Sequence, residues 1–215
     1  MKHMRNIAVA AGGSLVLLGL AATPASAATT LRDADTLAPY GGDVRLTLTS
    51  PVTVSTSLGG ATCNTGNIDA TVPSTGSPLN VSVYNFYNVP GPACTNTAGG
   101  TSANTALGLP WNGGTLNGDT MTLTITNVQV TSTSTGWFGT LVCNYRGTGA
   151  GNSITLSLAN PSGATGQMRA TATNVSLTKV ATGSGLLCPN TATYSAGFVV
   201  NGKDSGGNYT VRLTL

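Results

Sequence analysis

The motif Asn80-Val81-Ser82 is followed by Cys94, and the chain contains a second Asn-Val-Ser motif with a cysteine at the same spacing. The first copy continues after its cysteine as Thr95-Asn96-Thr97-Ala98, and the second runs from Asn174-Val175-Ser176 to Cys188-Pro189-Asn190-Thr191-Ala192. Residues 80–98 and 174–192 share eight identities in nineteen ungapped positions. We interpret this as a duplicated strand–loop–cysteine unit, which predicts an architecture of two related halves.

The composition around these copies is typical of a β protein. Charged residues make up only 7% of the chain, against about a quarter in an average globular protein. Residues 43–49 alternate, with Val44, Leu46 and Leu48 facing one side, which is the period of a half-buried strand. We found no apolar stripe with helical spacing after residue 27. The sequence therefore predicts an all-β fold, with an antiparallel β-sandwich favoured over a closed barrel.

The same pattern suggests how the chain is organised. Residues 28–215 are long enough for one domain. We assign half-repeats to about 43–98 and 120–200. Residues 99–119 carry Gly99-Gly100, Pro110 and Gly113-Gly114, and we interpret them as a crossover between the halves.

Four cysteines allow three pairings into two disulfides. The duplication favours Cys63–Cys94 and Cys143–Cys188, because each bridge then cross-links its own copy. The two crossed pairings, which would join equivalent ends of the copies, remain open at this point.

Residues 1–27 have the pattern of a secretory signal peptide. Lys2 and Arg5 precede an apolar run over residues 7–20, and the segment ends in small residues, with cleavage expected after Ala27. The apolar run is too short for a membrane anchor, so we expect no transmembrane segment in the mature chain. The expected location is extracellular.

Without this leader the charge is close to neutral. After residue 27 the chain has seven basic and six acidic side chains, and the basic residues do not cluster in the sequence. We therefore expect no nucleic-acid partner.

Several kinds of catalysis are excluded by residue type. The single histidine, His3, lies in the leader, and the chain contains no glutamate. Ser176 and Lys179 match a Ser-x-x-Lys motif, but residues three apart on a strand face opposite sides. Asp204-Ser205-Gly206 resembles half of an aspartic-protease dyad and lacks a second loop. We expect no enzyme and no cofactor, and a hydrolase using aspartates stays an alternative.

Two weaker candidate sites remain. Asp33, Asp35 and Asp43 are a possible Ca²⁺ ligand set, although the spacing departs from an EF-hand and no other metal site is expected. Candidate ligand-face aromatics, which could stack on sugar rings, occur in both halves; they are Trp111, Trp137, Tyr84 and Tyr87. The alternative places Trp111 in the seam between the halves and Trp137 over the second core.

The run from Cys94 through Leu109-Pro110-Trp111 to Cys143 and Cys188 resembles a group of uncharacterised secreted proteins from actinobacteria such as Streptomyces. These proteins combine a signal peptide, paired cysteines and a Pro-Trp crossover. The resemblance implies secretion and a β-rich fold, and it implies no activity.

Together these features predict a secreted, non-catalytic structural or binding protein. The expected partner is an extracellular protein or a polysaccharide, for instance in the cell envelope. The first alternative is an inhibitor of secreted hydrolases, acting through residues 89–93 or 189–192. An envelope pore is a further alternative, suggested by the alternation of Tyr209, Val211 and Leu213 near the end of the chain.

Overall fold

A computed structural model describes residues 30–91, 93–137 and 139–215. Across these residues the chain forms fifteen strands of one sheet, and no helix is assigned. The expected signal peptide and its cleavage site lie outside the described residues. The strands are β1 (Arg32–Asp33), β2 (Gly42–Thr56), β3 (Gly59–Cys63), β4 (Thr65–Val72), β5 (Leu79–Tyr87), β6 (Cys94–Asn96), β7 (Thr101–Ala106), β8 (Trp111–Asn117), β9 (Thr122–Ile125), β10 (Gln129–Gly136), β11 (Gly139–Gly147), β12 (Ile154–Ala159), β13 (Met168–Lys179), β14 (Thr191–Gly202) and β15 (Val211–Thr214).

The strand pairing closes on itself. β2 pairs with β3 and β4 on one side and with β14 on the other, so the first long strand meets the last. β14 pairs with β13, which pairs with β11 near one end and β12 near the other. All these pairings are antiparallel. The result is a hydrogen-bonded circuit that closes through the β2–β14 pair.

At most places around the circuit, two strands that are consecutive in the chain lie end to end and pair with the same neighbouring strand or strand pair. β3 and β4 both pair with β2, and the same arrangement continues as β5–β6, β7–β8, β9–β10 and β11–β12. Successive positions are neighbours, which is an up-and-down order. We call β3, β6, β7, β10 and β11 the open half, and β4, β5, β8, β9 and β12 the closed half. β2, β13 and β14 run through both.

These observations confirm the all-β antiparallel fold and the two disulfides Cys63–Cys94 and Cys143–Cys188. The β2–β14 pairing joins the first long strand to the last within this one sheet. The interpretation of residues 99–119 as a crossover is corrected, because β7 and β8 occupy most of that segment.

Bulges mark the level at which the two halves meet. The register of β14 shifts against β2 around Gly197, which pairs with Ser50 next to Pro51, and Pro51 has no N–H to donate to a ladder. β13 shifts between Ala172 and Val175, where Asn174 adopts a left-handed φ of 48° and its N–H donates to Ser195 Oγ at 2.9 Å. Pro51 therefore lies within β2 and does not end it.

One end of the circuit is closed by the terminal segments. β1 pairs with β15, and β15 pairs antiparallel with the end of β14. The N–H of Leu31 donates to Ser74 O at 2.7 Å, and the N–H of Leu215 donates to Asn160 Oδ1 at 2.9 Å. Leu31 and Leu213 are fully buried. The terminal strands thus act as an apolar plug, which makes this the closed end.

The two halves differ in what fills them. Among the largest fully buried side chains of the described residues, only Val52 lies at the level of the open half. The closed half contains residues such as Leu46, Ile68 and Leu156, whereas buried Ser102 faces inward in the open half. Both disulfides cross-link the open half, where β3 meets β6 and where β11 meets the segment before β14. The two disulfides thus lie in the half that has fewer large buried apolar side chains.

The two copies of the Asn-Val-Ser pattern occupy different places. In each copy a strand, β5 or β13, is followed by a loop and a disulfide-bonded cysteine. Both strands are bulged near the pattern, at Ser82 and near Asn174. Their neighbours differ, because β5 lies between β4 and β8 whereas β13 contacts β11, β12 and β14. The pattern thus coincides with a bend in the strand.

Candidate binding site

A cavity of about 80 Å³ lies inside the open half. Its walls come from the inward faces of β2, β3, β7, β10, β11 and β14 and from the turns at that end. Leu58, in the β2–β3 turn, lines the cavity and is half exposed, so the cavity reaches the surface. The polar and aromatic side chains of the wall include those of Tyr84, Asn96, Ser102, Ser134, Tyr145 and Tyr194.

Tyr194 has the most unusual environment in this cavity. Its side chain comes from β14 and is 4% exposed, and its Oη has no hydrogen-bond partner among the described residues. A buried hydroxyl without a partner is unfavourable and rare in folded proteins. Burial, and secondarily the neighbouring Tyr84, raises the pKa of Tyr194, so the hydroxyl stays protonated at neutral pH and can donate a hydrogen bond.

The other polar groups in the wall bond mainly to one another. Asn96 Nδ2 donates to Thr135 O at 2.8 Å, and Asn96 Oδ1 accepts from the N–H of Gly100 at 3.0 Å. Ser102 Oγ and Ser134 Oγ are 2.7 Å apart. These bonds hold the turn between β6 and β7 against β10, so the entrance to the cavity has a defined shape.

Tyr145 forms the opposite wall, next to the Cys143–Cys188 bridge. Its Oη donates to Pro189 O at 3.2 Å, and burial raises the pKa of its hydroxyl. Within the part of the chain that the structure describes, no residue lining the cavity is charged. The site is therefore a neutral pocket with tyrosine walls.

The four candidate aromatics do not form one ligand face. Trp111 is buried, and its Nε1 donates to Leu107 O at 2.7 Å. Its ring centroid lies 5.4 Å from that of Tyr84, which in turn packs edge-on against Phe86. Tyr87, at the end of β5, is partly buried. This cluster fills the level where the halves meet, and only Tyr84 reaches the cavity wall.

Trp137 lies away from that cluster, in the turn between β10 and β11. It is 84% exposed, so the expectation that it covers a core is wrong. Leu186 and Leu187, just before Cys188, are also exposed. Together with Leu58, these residues place large apolar side chains at the open end. We call Leu58, Trp137, Leu186 and Leu187 the rim.

The three candidate calcium ligands are engaged separately. Asp33 Oδ1 accepts from the N–H of Asp35 at 2.8 Å, which shapes a local turn. The Asp35 carboxylate pairs with Arg212, and Asp43 pairs with Lys203 at 3.2 Å. Among the described residues, no group of three or more acidic, cysteine or histidine side chains is placed to hold a metal. The structure does not bring this set together.

The remaining catalytic candidates are structural. Asp204 accepts from the N–H of Asn208 at 2.8 Å and from Thr210 Oγ1 at 2.7 Å, and these bonds lower its pKa and stabilise an exposed turn. Lys179 Nζ donates to Cys188 O at 3.1 Å, so its amine does not serve Ser176. Asp204, Ser176 and Lys179 do not line the cavity.

The comparisons with known proteins add no relative. No protein-family model matches the chain, and no curated protein or solved structure does so either. The resemblance to secreted actinobacterial proteins thus stays a prediction. Across residues 30–91, 93–137 and 139–215, no helix is long and apolar enough to cross a membrane.

Proposed function

We propose that this chain is an exported, non-catalytic binding protein that takes up its partner at the open end of the circuit. The observation that carries the proposal is the neutral cavity at that end, with the unpartnered Tyr194 hydroxyl in its wall. The rim adds exposed apolar surface around the same end. Pockets of this kind, mostly apolar with a few polar groups, are typical of binding sites.

Export is supported by two independent features. Residues 1–27 have the pattern of a signal peptide, and all four cysteines are in disulfides. Disulfides persist in oxidising compartments and are rare in the cytosol. The partner is therefore an extracellular molecule, and we place it in the cell envelope.

The absence of catalysis is supported by the chemistry of the cavity wall. Acid–base catalysis needs a titratable group within reach of the substrate. The described wall offers tyrosines whose pKa values are raised by burial, and it has no carboxylate, imidazole or amine.

Retention on envelope material tests the proposal. The mature protein is incubated with peptidoglycan, wall polysaccharides or envelope protein, and the bound fraction is measured. We expect retention on one of these materials and its loss in Leu187→Ser, because this residue is part of the rim.

Leu37→Ser is the matched control, since Leu37 is 62% exposed at the closed end and Leu187 is 69% exposed at the open end. The control should be retained like the wild-type protein. Equal loss in both variants, or no retention on any material, would contradict the proposal.

Inhibition of a secreted hydrolase is a second candidate, favoured by the segment before Cys188. Leu186 is completely exposed, while the N–H of Gly185 donates to Val142 O at 2.9 Å and Asn144 Nδ2 donates to Thr182 O at 3.1 Å. A rigid loop that presents an apolar side chain can enter an enzyme cleft. Of residues 189–192, the last two already belong to β14, so the exposed part lies earlier than the sequence suggested.

A panel of secreted proteases tests this candidate. Inhibition at micromolar protein that disappears in Leu186→Gly supports it. A panel without inhibition rejects it and leaves the binding proposal standing.

A further inference from the structure

We propose that the cavity takes the uncharged, mainly apolar, ring-sized end of a small molecule, whose single polar group hydrogen-bonds to Tyr194 Oη. This inference rests on the proposed function and specifies the ligand class for the same site. It follows from three properties of the wall: its unused hydrogen-bonding group, its lack of charge and its size.

The unpartnered hydroxyl of Tyr194 sets one polar contact that the ligand makes. Tyr194 Oη is buried and without a partner among the described residues, although it can both donate and accept. Asn96 and the Ser102–Ser134 pair already use their groups within the wall, and Tyr145 donates to Pro189. One hydroxyl or carbonyl group on the ligand is enough to satisfy this buried hydroxyl.

The lack of charge sets the ionisation state of the ligand. An ionised group moved from water into a site without a counter-charge loses its hydration and gains no compensating partner. The described wall residues include no Lys, Arg or Asp. The ligand end that enters is therefore neutral.

The size of the cavity limits what enters it. About 80 Å³ holds several water molecules, since one water needs about 10–15 Å³. A whole drug-sized molecule needs about 300 Å³ or more, so only one end of a larger ligand fits. The tyrosine rings of Tyr84, Tyr145 and Tyr194 offer aromatic walls, which favour a flat ring. Anything longer extends past Leu58 to the rim.

Phenol is the probe that tests this ligand class, with toluene lacking the hydroxyl and benzoate carrying a charge. Each is titrated into the isotope-labelled, disulfide-intact protein, and affinity is taken from chemical-shift changes. We expect phenol to bind more tightly than toluene and benzoate not to bind. Tyr194→Phe should weaken phenol binding by about tenfold, the effect of one lost hydrogen bond, and should leave toluene unchanged.

The substitution should not unfold the protein, because it removes one oxygen atom that has no partner. Melting of the Tyr194→Phe variant at or above the wild-type temperature checks this. Tyr209→Phe is the matched control, since it removes a phenolic oxygen near the closed end, and phenol should bind it like the wild-type protein.

Three outcomes would overturn the inference. They are equal phenol affinity in Tyr194→Phe and wild type, binding of benzoate as tight as that of phenol, and a cavity that holds ordered water only, with no shift from any probe. If phenol fails while envelope retention still depends on Leu187, the ligand class is wrong and the proposed function stands. If both fail, both are wrong.

Discussion

Arg45 and Asp69 form a cross-strand pair on the outer face of β2 and β4. Two hydrogen bonds of 2.7 Å join Arg45 Nε and Nη2 to the two carboxylate oxygens, and Asn67 Nδ2 adds a third at 2.8 Å. Partial burial alone would raise the pKa of Asp69, but these hydrogen bonds outweigh it and hold the pKa below its ordinary value. The ionised carboxylate therefore stabilises the folded state.

Asp69→Asn tests this pair. Because the folded pKa lies below the unfolded value of about 3.9, the stabilisation is present above that pH and is lost as the pH falls through the folded pKa. At pH 7 we expect the free energy of unfolding to drop by about 1 kcal/mol, since the arginine is partly exposed. Urea unfolding at pH 7 and pH 2.5 measures the difference, which should be smaller at the lower pH.

The control is Asp119→Asn, which removes the same charge from an exposed position in the turn before β9. It should change the unfolding free energy little at either pH. A loss in Asp69→Asn that is equally large at pH 2.5 and pH 7 would show that the ionised pair is not its cause.

The residue at the centre of the candidate site was missed by the sequence interpretation. Tyr194 lies on the inward face of β14 with Ala192, Ala196 and Phe198, a period-two pattern visible in the sequence. A tyrosine between two alanines on an inward face indicates local space beside its ring. That its hydroxyl lacks a partner depends on strands far along the chain, which the local pattern does not specify.

Individual strands show why prediction succeeded in some segments and failed in others. β4, β5, β9 and β12 alternate inward apolar and outward polar residues, which is the pattern by which a strand is recognised from sequence. β7 was missed because its inward positions include Ser102 and Asn104. The small polar side chains that line the cavity remove the hydrophobic alternation by which a strand is recognised.

The small side chains inside the open half also explain where the disulfides lie. Burial of apolar surface contributes about 25 cal/mol per Å², so an interior of Ser, Asn and Ala contributes little. Cys63–Cys94 and Cys143–Cys188 close loops of 31 and 45 residues in that half. Each bridge stabilises the fold by about 4 kcal/mol in the chain-entropy model.

Replacing Cys63 and Cys94 together by serine tests whether the open half depends on its disulfides and the closed half on its apolar core. We expect the unfolding free energy to fall by about 3–4 kcal/mol. Amide exchange should accelerate in β6, β7 and β10, while β9 and β12 keep their protection because their core is apolar. The matched variant replaces Cys143 and Cys188 and should loosen β11 instead. Faster exchange in β9 and β12 than in β7 would contradict the division.

At the scale of the whole molecule, closure depends on contacts between the two ends of the chain. β2 and β14 pair along most of their length, and each half of the circuit takes strands from both sequence halves. The duplicated pattern predicted one domain of two related halves. The pairing joins them into one sheet, with the terminal strands closing one end. No local pattern specifies such a pairing.

This asymmetry underlies the functional proposal. One end is filled with apolar side chains and covered by β1 and β15, while the other is cross-linked, neutral and hollow. Buried polar groups and cavities reduce stability, so a fold that keeps them at one end has a site suited to a ligand there. The central claim is that the partner binds at the open end.

The most direct test compares amide hydrogen exchange of the free protein with that of the protein bound to envelope material. In the bound protein we predict slower exchange in residues 57–60, 97–100 and 184–188, which form the open end. Residues 31–40 and 203–210 at the closed end should exchange as in the free protein. Protection at the closed end, with no change at the open end, would contradict the account.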